Sequence, residues 1–81
     1  MTELGSMIKK LRTRLNGSLS DVAADACLSK AQVWDLEQGR STNPTVSTLY
    51  RLALALRCDA SELATAALKD RHASYERGDG A

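Results

Sequence analysis

The chain has 81 residues, enough for one small domain with a single core and too few for a second. Its hydrophobic fraction is 43% but its aromatic fraction is only 4%, so the core must consist mainly of Leu, Val, Ile and Ala. Leucine and alanine lose little entropy on entering a helix, which favours an all-α fold. We predict a compact domain over residues 1–70 and a tail over residues 71–81 that is frayed or contributes to dimerisation.

Several protein classes are excluded by the same inventory. No apolar run reaches the roughly 20 residues that cross a bilayer, and the N-terminal stretch MTELGSMIKK lacks the apolar region of a signal peptide. We therefore expect a cytoplasmic protein with no membrane partner. Cys27, Cys58 and His72 are too few for a zinc site, so no metal or cofactor is predicted, and both cysteines are expected to be small buried hydrophobic residues.

The positions of the charged residues are more informative about a nucleic-acid partner than the net charge. A formal net charge of +1 argues weakly against a nucleic-acid partner, because neutralisation of phosphates dominates such affinity. Residues 1–20, however, carry Lys9, Lys10, Arg12 and Arg14 against Glu3 alone. This basic segment fits either a nucleic-acid-binding surface or a solvated helix face.

The first three predicted helices are short. The first begins at Thr2 or Ser6 and ends at Arg14, with apolar residues in one stripe at Leu4, Ile8, Leu11 and Leu15. A second helix over residues 19–26 is capped by Ser18, with Asp21 completing a capping box. The third covers residues 30–38, beginning after Ser29 and ending at Gly39, with Val33 and Leu36 directed inward.

Two further helices complete the predicted fold. One begins at about Thr45, after Pro44, and its apolar face consists of Val46, Leu49, Leu52, Ala53 and Leu56. The last begins at Ser61 and runs through Leu63 and Ala67 to Leu68 or beyond.

The second and third helices are joined only by residues 27–29, which is too short for an antiparallel pair. They must cross steeply, as in a helix-turn-helix, where the first helix braces the second so that its exposed face can enter the major groove of DNA. Ordinary helical proteins also contain steep helix pairs, so the geometry alone leaves the function open.

The residues in and around this pair carry a specific resemblance. The stretch SLSDVAADACLSKAQVWDLEQGR, residues 18–40, has the cap, the Val22-Ala23 pair, the turn ending at Ser29, and Glu37 two residues before Gly39. Asn43-Pro44, TLYRLALAL and the closing SEL continue the pattern. Over about residues 4–68 the chain resembles the phage repressor and Cro-like helix-turn-helix family, also called the xenobiotic-response-element family of bacterial regulators. The resemblance implies a five-helix, repressor-like DNA-binding domain.

The resemblance also implies roles for individual residues. The third helix would read bases, with Lys30 pairing with guanine, Asp35 accepting from cytosine N4 and Ala31 meeting a thymine methyl. The flanking residues of the same helix that could also read bases are Gln32 and Trp34. The residues that would contact phosphates are Ser18, Ser29, Arg40, Thr42, Asn43 and Thr45. Arg12 and Glu37 match a family pair in which an arginine of the first helix clamps the end of the reading helix.

The chain departs from the family pattern at five positions. Leu19 stands where many relatives carry a glutamine that touches a phosphate, so one anchor on DNA is weakened. Cys27 and Arg57 stand where helix ends usually have glycine, so each is expected to be strained or to lie in a different turn. Gly17 replaces a leucine and removes a core side chain. Trp34 replaces a small or polar residue, and three placements are open for it: partial burial at the edge of the helix, contact with DNA, or a protein interface.

The function that we predict first is that of a sequence-specific regulator of transcription. We expect a repressor or autoregulator of phage, plasmid or mobile-element type without a ligand-sensing domain. A homodimer reading a near-palindromic operator in double-stranded DNA is expected, because one short helix touches few base pairs. Its predicted interface is on the last helix, at Leu63, Ala66, Ala67 and Leu68. The alternative is an antitoxin or another protein-interaction module that binds a protein partner such as a toxin. An enzyme is not expected, because no nucleophile or carboxylate pair stands with a base or metal.

Overall fold

The computed structural model describes residues 2–41 and 43–76, with side chains described to residue 72. This part of the chain contains five helices and no strand, which confirms the predicted all-α architecture. The helices are α1 (Glu3–Arg14), α2 (Leu19–Ala26), α3 (Lys30–Gln38), α4 (Val46–Leu56) and α5 (Ala60–Glu76). None of them is long and apolar enough to span a bilayer.

A hydroxyl side chain caps the start of each of the first four helices. The oxygens of Thr2, Ser18, Ser29 and Thr45 each accept a backbone N–H from the first turn. At Ser18 the capping box is complete, since its own N–H donates to the carboxylate of Asp21 at 2.9 Å. That backbone hydrogen bond lowers the pKa of Asp21 below its ordinary value. The predicted starts of α2, α3 and α4 are therefore confirmed.

One apolar cluster joins all five helices. Helix α1 packs against α3 and α5, while α4 packs against α2 and α5. The buried residues of this core are Leu4, Ile8, Val22, Ala23, Ala26, Val33, Leu36, Leu49, Leu52, Ala53, Leu56, Leu63, Ala66 and Ala67. Two predictions of burial are wrong. Val46 is 83% exposed because it opens α4 on the solvent side, and Leu15 is 39% exposed because it lies at the C-terminal end of α1.

Helix α5 begins one residue before the predicted Ser61 and continues well past Leu68, to Glu76. The first residues of the predicted tail, 71–76, are therefore helical, and residues 77–81 lie outside the described part of the chain. Asp70 connects this extension to α1: its carboxylate accepts the backbone N–H groups of Glu3 at 2.7 Å and Leu4 at 3.1 Å. A carboxylate at the N-terminal end of a helix is stabilising, because it pairs with free N–H donors and opposes the helix dipole.

The two helix ends without glycine adopt the left-handed conformation with ordinary residues. Cys27 has φ 56° and Arg57 has φ 57°, and each closes its helix with its own N–H. The prediction that Cys27 is buried is wrong: its side chain is exposed at the turn, and that of Cys58 is half-buried. Each left-handed residue costs about 1 kcal/mol or more through contact of its Cβ with the following carbonyl oxygen.

Replacing Arg57 by glycine should therefore stabilise the protein. We expect a gain of about 0.5–1 kcal/mol, because removal of the Cβ strain exceeds the added entropy of the unfolded chain. Urea unfolding followed by circular dichroism measures the change. The matched control is Arg51→Gly, the same replacement inside α4, which should cost about 1 kcal/mol. Equal losses in both variants would contradict the strain at Arg57.

Candidate nucleic-acid interface

Helices α2 and α3 are joined by residues 27–29 and pack against each other, and buried side chains determine which face of α3 is free. Val33 and Leu36 are buried at 0% and 3% exposure, fixing α3 against the core. On the free side, four of the predicted base-reading residues are exposed: Lys30, Ala31, Gln32 and Trp34. Asp35 is only half-buried. The N-terminal half of α3 therefore presents a continuous polar surface flanked by an indole.

Gln32 has a structural role as well as a possible contact with DNA. Its side-chain oxygen accepts the backbone N–H of Ser29 at 2.9 Å, while the backbone N–H of Gln32 donates to the Ser29 hydroxyl oxygen at 3.0 Å. This capping box occupies the amide oxygen and leaves the amide NH₂ as a donor. Gln32 can therefore donate to a base or phosphate but is poorly placed for the two-way pairing with adenine that a free glutamine makes.

Three of the predicted phosphate contacts also serve as helix caps. The hydroxyl oxygens of Ser18, Ser29 and Thr45 accept backbone N–H groups, so the hydroxyl proton is what each can offer to a phosphate. Thr45 is the exception, because its hydroxyl already donates its proton to the hydroxyl oxygen of Thr48 at 3.0 Å. Arg40 is exposed after the end of α3.

The loop before α4 adds the side chain of Asn43 to the predicted phosphate-binding residues. Asn43 is exposed, and its side-chain oxygen accepts from a guanidinium nitrogen of Arg71 at 3.4 Å. Thr42 lies outside the described residues. Arg71 lies in the predicted tail and was not predicted as a site residue, although the absence of Gly and Pro between Ala60 and Gly78 indicates that α5 continues.

The Arg12–Glu37 pair ties the end of α3 to α1. Two guanidinium nitrogens of Arg12 donate to the two carboxylate oxygens of Glu37, at 3.0 and 2.8 Å, and a third N–H donates to the carbonyl of Gly17 at 3.1 Å. Glu37 is buried with 2% exposure, whereas the Arg12 side chain is 19% exposed. The hydrogen bond to Glu37 raises the pKa of Arg12 further above its ordinary value, so the guanidinium remains charged at every working pH.

The predicted dimer interface on the last helix is wrong for three of its four residues. Leu63, Ala66 and Ala67 are 0%, 3% and 8% exposed, because α5 turns this face into the core against α1 and α4. The monomer therefore buries the surface that the pattern assigned to a partner. Leu68 is 57% exposed and remains available; the side chain of Tyr75 lies outside the described residues.

Helix α4 instead carries an exposed apolar stripe. Val46, Tyr50 and Leu54 follow one another at intervals of one helical turn and are 83%, 57% and 62% exposed. We call these three residues the α4 stripe. Trp34 is 42% exposed on α3, which fits partial burial at the helix edge and still leaves part of the indole open to a partner.

A five-helix domain whose second and third helices are joined by three residues, with the third tied to the first through Glu37 and Arg12, is typical of the Cro and repressor class of helix-turn-helix proteins. The helix-turn-helix family model matches residues 8–63, more than half of the chain. The chain belongs to this family, whose members are DNA-binding transcription regulators.

A solved structure supports the assignment. The N-terminal DNA-binding domain of SinR from Bacillus subtilis is 28% identical to this chain and aligns with a TM-score of 0.71. The alignment covers 74% of this chain and 87% of the SinR domain. No curated protein matches the chain significantly.

Removing the carboxylate of the clamp should lower both stability and affinity for DNA. We expect Glu37→Ala to cost about 2–4 kcal/mol, because it leaves the guanidinium of Arg12 partly buried without its partner. Thermal unfolding and DNA titration of the same preparation measure the two effects. The control is Glu62→Ala, which removes an exposed carboxylate from the first turn of α5 and should cost no more than about 1 kcal/mol. A Glu37→Ala protein as stable as the control would refute the structural role of the pair.

Proposed function

We propose that this protein is a sequence-specific regulator of transcription that binds double-stranded DNA through α3. It would act as a homodimeric repressor or autoregulator, of phage, plasmid or mobile-element type, on a near-palindromic operator. The observation that carries the proposal is the free N-terminal half of α3, held in one orientation by the buried Glu37 and the guanidinium of Arg12. The DNA-binding function named for the SinR domain supports it. We propose no catalytic role, and a cytoplasmic location stays a prediction.

Base reading in this proposal depends on three side chains with different chemistry. Lys30 opens α3 as a point charge that can donate to guanine O6 or N7, and the neighbouring Ala31 offers a methyl group to thymine. Asp35 lies one turn further along and can only accept, which favours cytosine N4. Its half-buried position restricts the conformers it can adopt and so favours a single base partner.

The second candidate is a protein-interaction module such as an antitoxin. Two observations favour it: the exposed part of Trp34 beside the polar face of α3, and the net charge of only +1. A protein partner could cover the indole, whereas a DNA-binding surface usually relies on many cations. Binding of a small co-encoded protein, with no selection of DNA sequence, is the result that would favour this candidate.

For the dimer, the α4 stripe is a better interface than the predicted face of α5. Its spacing is symmetric about Tyr50, so two antiparallel copies of α4 can pair across a two-fold axis with Val46 of one copy facing Leu54 of the other. Such self-complementarity is what a two-fold interface requires. The stripe itself carries no charge, so pairing buries apolar surface without burying an ion. Leu68 remains a further candidate contact.

Selection of bound sequences from a random duplex pool, at two salt concentrations, tests the proposed function directly. An enriched inverted repeat with half-sites about one helical turn apart supports a dimeric, sequence-specific regulator. Weak binding that disappears as salt increases, without any enriched sequence, contradicts it and favours the protein-interaction module.

Two substitutions should separate base reading from phosphate binding. Asp35→Ala should relax or change the preference at one operator position by about 1–3 kcal/mol, because a base-edge contact carries sequence information. Asn43→Ala should lower affinity for all sequences alike, because a phosphate contact carries none. Repeating the selection with each variant measures both profiles. An unchanged profile for Asp35→Ala, or losses at some sequences only for Asn43→Ala, would contradict the assigned roles.

A charge in the α4 stripe should prevent dimerisation. Leu54→Glu places a carboxylate opposite Val46 of the second copy, so we expect monomers at tens of micromolar, where the unmodified protein should sediment as a dimer. The control is Thr13→Glu, which adds the same charge at an exposed position of α1. Dimers that persist in Leu54→Glu would exclude the stripe as the interface.

A further inference from the structure

The C-terminal half of α5 is fixed to the rest of the domain by two consecutive residues that point to different neighbours. Asp70 receives the backbone N–H groups of Glu3 and Leu4, which anchors this turn of α5 at the start of α1. Arg71, the next residue, reaches the loop before α4 and donates to the side-chain oxygen of Asn43 at 3.4 Å. The position of the Arg71 backbone is therefore set by the Asp70 anchor.

The contact with Arg71 also orients the Asn43 amide. An asparagine side chain has one acceptor oxygen and one NH₂ group with two donors. Because the oxygen accepts from the guanidinium of Arg71, the NH₂ group is the part of this exposed amide that is left for a ligand. Donors are what a phosphate needs, and an amide turned the other way would present an acceptor that repels it.

Arg71 itself has donors to spare. A guanidinium carries five N–H donors, and the long contact to Asn43 occupies one of them. The side chain is exposed, and no other side chain among residues 2–41 and 43–72 accepts from it, so the remaining donors can bind an anion beside Asn43. A planar guanidinium can hold a phosphate through two parallel hydrogen bonds, which a lysine cannot do.

We propose that Arg71 belongs to the DNA interface, where it binds a backbone phosphate next to the one bound by Asn43 and holds the Asn43 amide in its donor orientation. The proposal rests on the proposed function and adds α5 to a surface that the sequence assigned to α2, α3 and the loop before α4. It also supplies a cation beside the loop before α4, in a chain whose net charge is only +1.

The size of the effect follows from counterion release. Each phosphate contact made by a cation changes the slope of log K against log salt by about 0.9. The contribution of counterion release to affinity is taken as zero at about 1 M salt. Loss of one contact should therefore weaken binding roughly fivefold at about 0.15 M salt. The weakening should be the same for every operator variant, because the contact carries no sequence information.

The experiment compares Arg71→Ala with Lys69→Ala in the full chain. Lys69 is also an exposed cation of α5, but it lies two residues earlier and so on nearly the opposite side of the helix. Both variants lose one positive charge, so long-range attraction to DNA changes equally. Titration of a selected duplex at several salt concentrations gives affinity and salt slope, and circular dichroism verifies that both variants remain folded.

Arg71→Ala should lose about fivefold in affinity and about 0.9 in salt slope relative to Lys69→Ala. Equal behaviour of the two variants would overturn the proposal while leaving the proposed function intact. An unmodified protein that binds no duplex would overturn both.

The double variant Asn43→Ala, Arg71→Ala tests the positioning role. Because part of the Arg71 contribution passes through the Asn43 amide, the loss caused by Arg71→Ala should be smaller when Asn43 is already alanine. Losses that simply multiply would exclude the positioning role, since independent phosphate contacts have no coupling.

Discussion

The orientation of the reading helix depends on one buried carboxylate. Glu37, at the end of α3, is almost fully buried, and both its oxygens accept from Arg12 of α1. A third N–H of the same guanidinium reaches the carbonyl of Gly17, so one side chain connects α1, the loop before α2 and α3. Val33 and Leu36 fix the inner face of α3 against the core, and the clamp adds a charged contact at its C-terminal end. The paired charges make a rotation of α3 costly, since it would leave a charge buried and unpaired.

Close packing of α1 against α3 makes this clamp possible. A Cβ added to Gly5 would overlap the carbonyl oxygen of Glu37, so α1 approaches the end of α3 more closely than any other residue would allow. Helix α1 is in turn held by Asp70 of α5, whose carboxylate satisfies the first free N–H groups of α1. The base-reading surface is thus linked through α1 to the C-terminal helix, and from there through Arg71 back to the loop before α4. The proposed contacts with DNA lie where this series of interactions begins, on α3, and where it ends, at Arg71 and the loop before α4.

Sequence patterns predicted the structure correctly where the stabilising interaction joins residues that are close in the chain. Ser18, Ser29 and Thr45 begin their helices because a hydroxyl satisfies a free N–H within the same turn. Apolar patterns did not predict which surface buries a residue when the same face could pack either within the monomer or against a second copy. Leu63, Ala66 and Ala67 form an apolar face that fits either a monomer core or a dimer interface, and only the path of α5 against α1 and α4 decides for the core. Val46 fits the apolar periodicity of α4 but lies at its flank, and with Tyr50 and Leu54 it is left on the surface.

The sequence by itself determined the helices, their caps, the steep pair at its centre and, through resemblance, the pairing of Arg12 with Glu37. These follow from interactions between residues close in the chain or from a spacing that is specific to the family. Only the tertiary structure decided that Asp70 caps α1 from a distant part of the chain and that Arg71 meets Asn43. These contacts join residues far apart in sequence, and their formation depends on how five helices share one core, which no local pattern encodes.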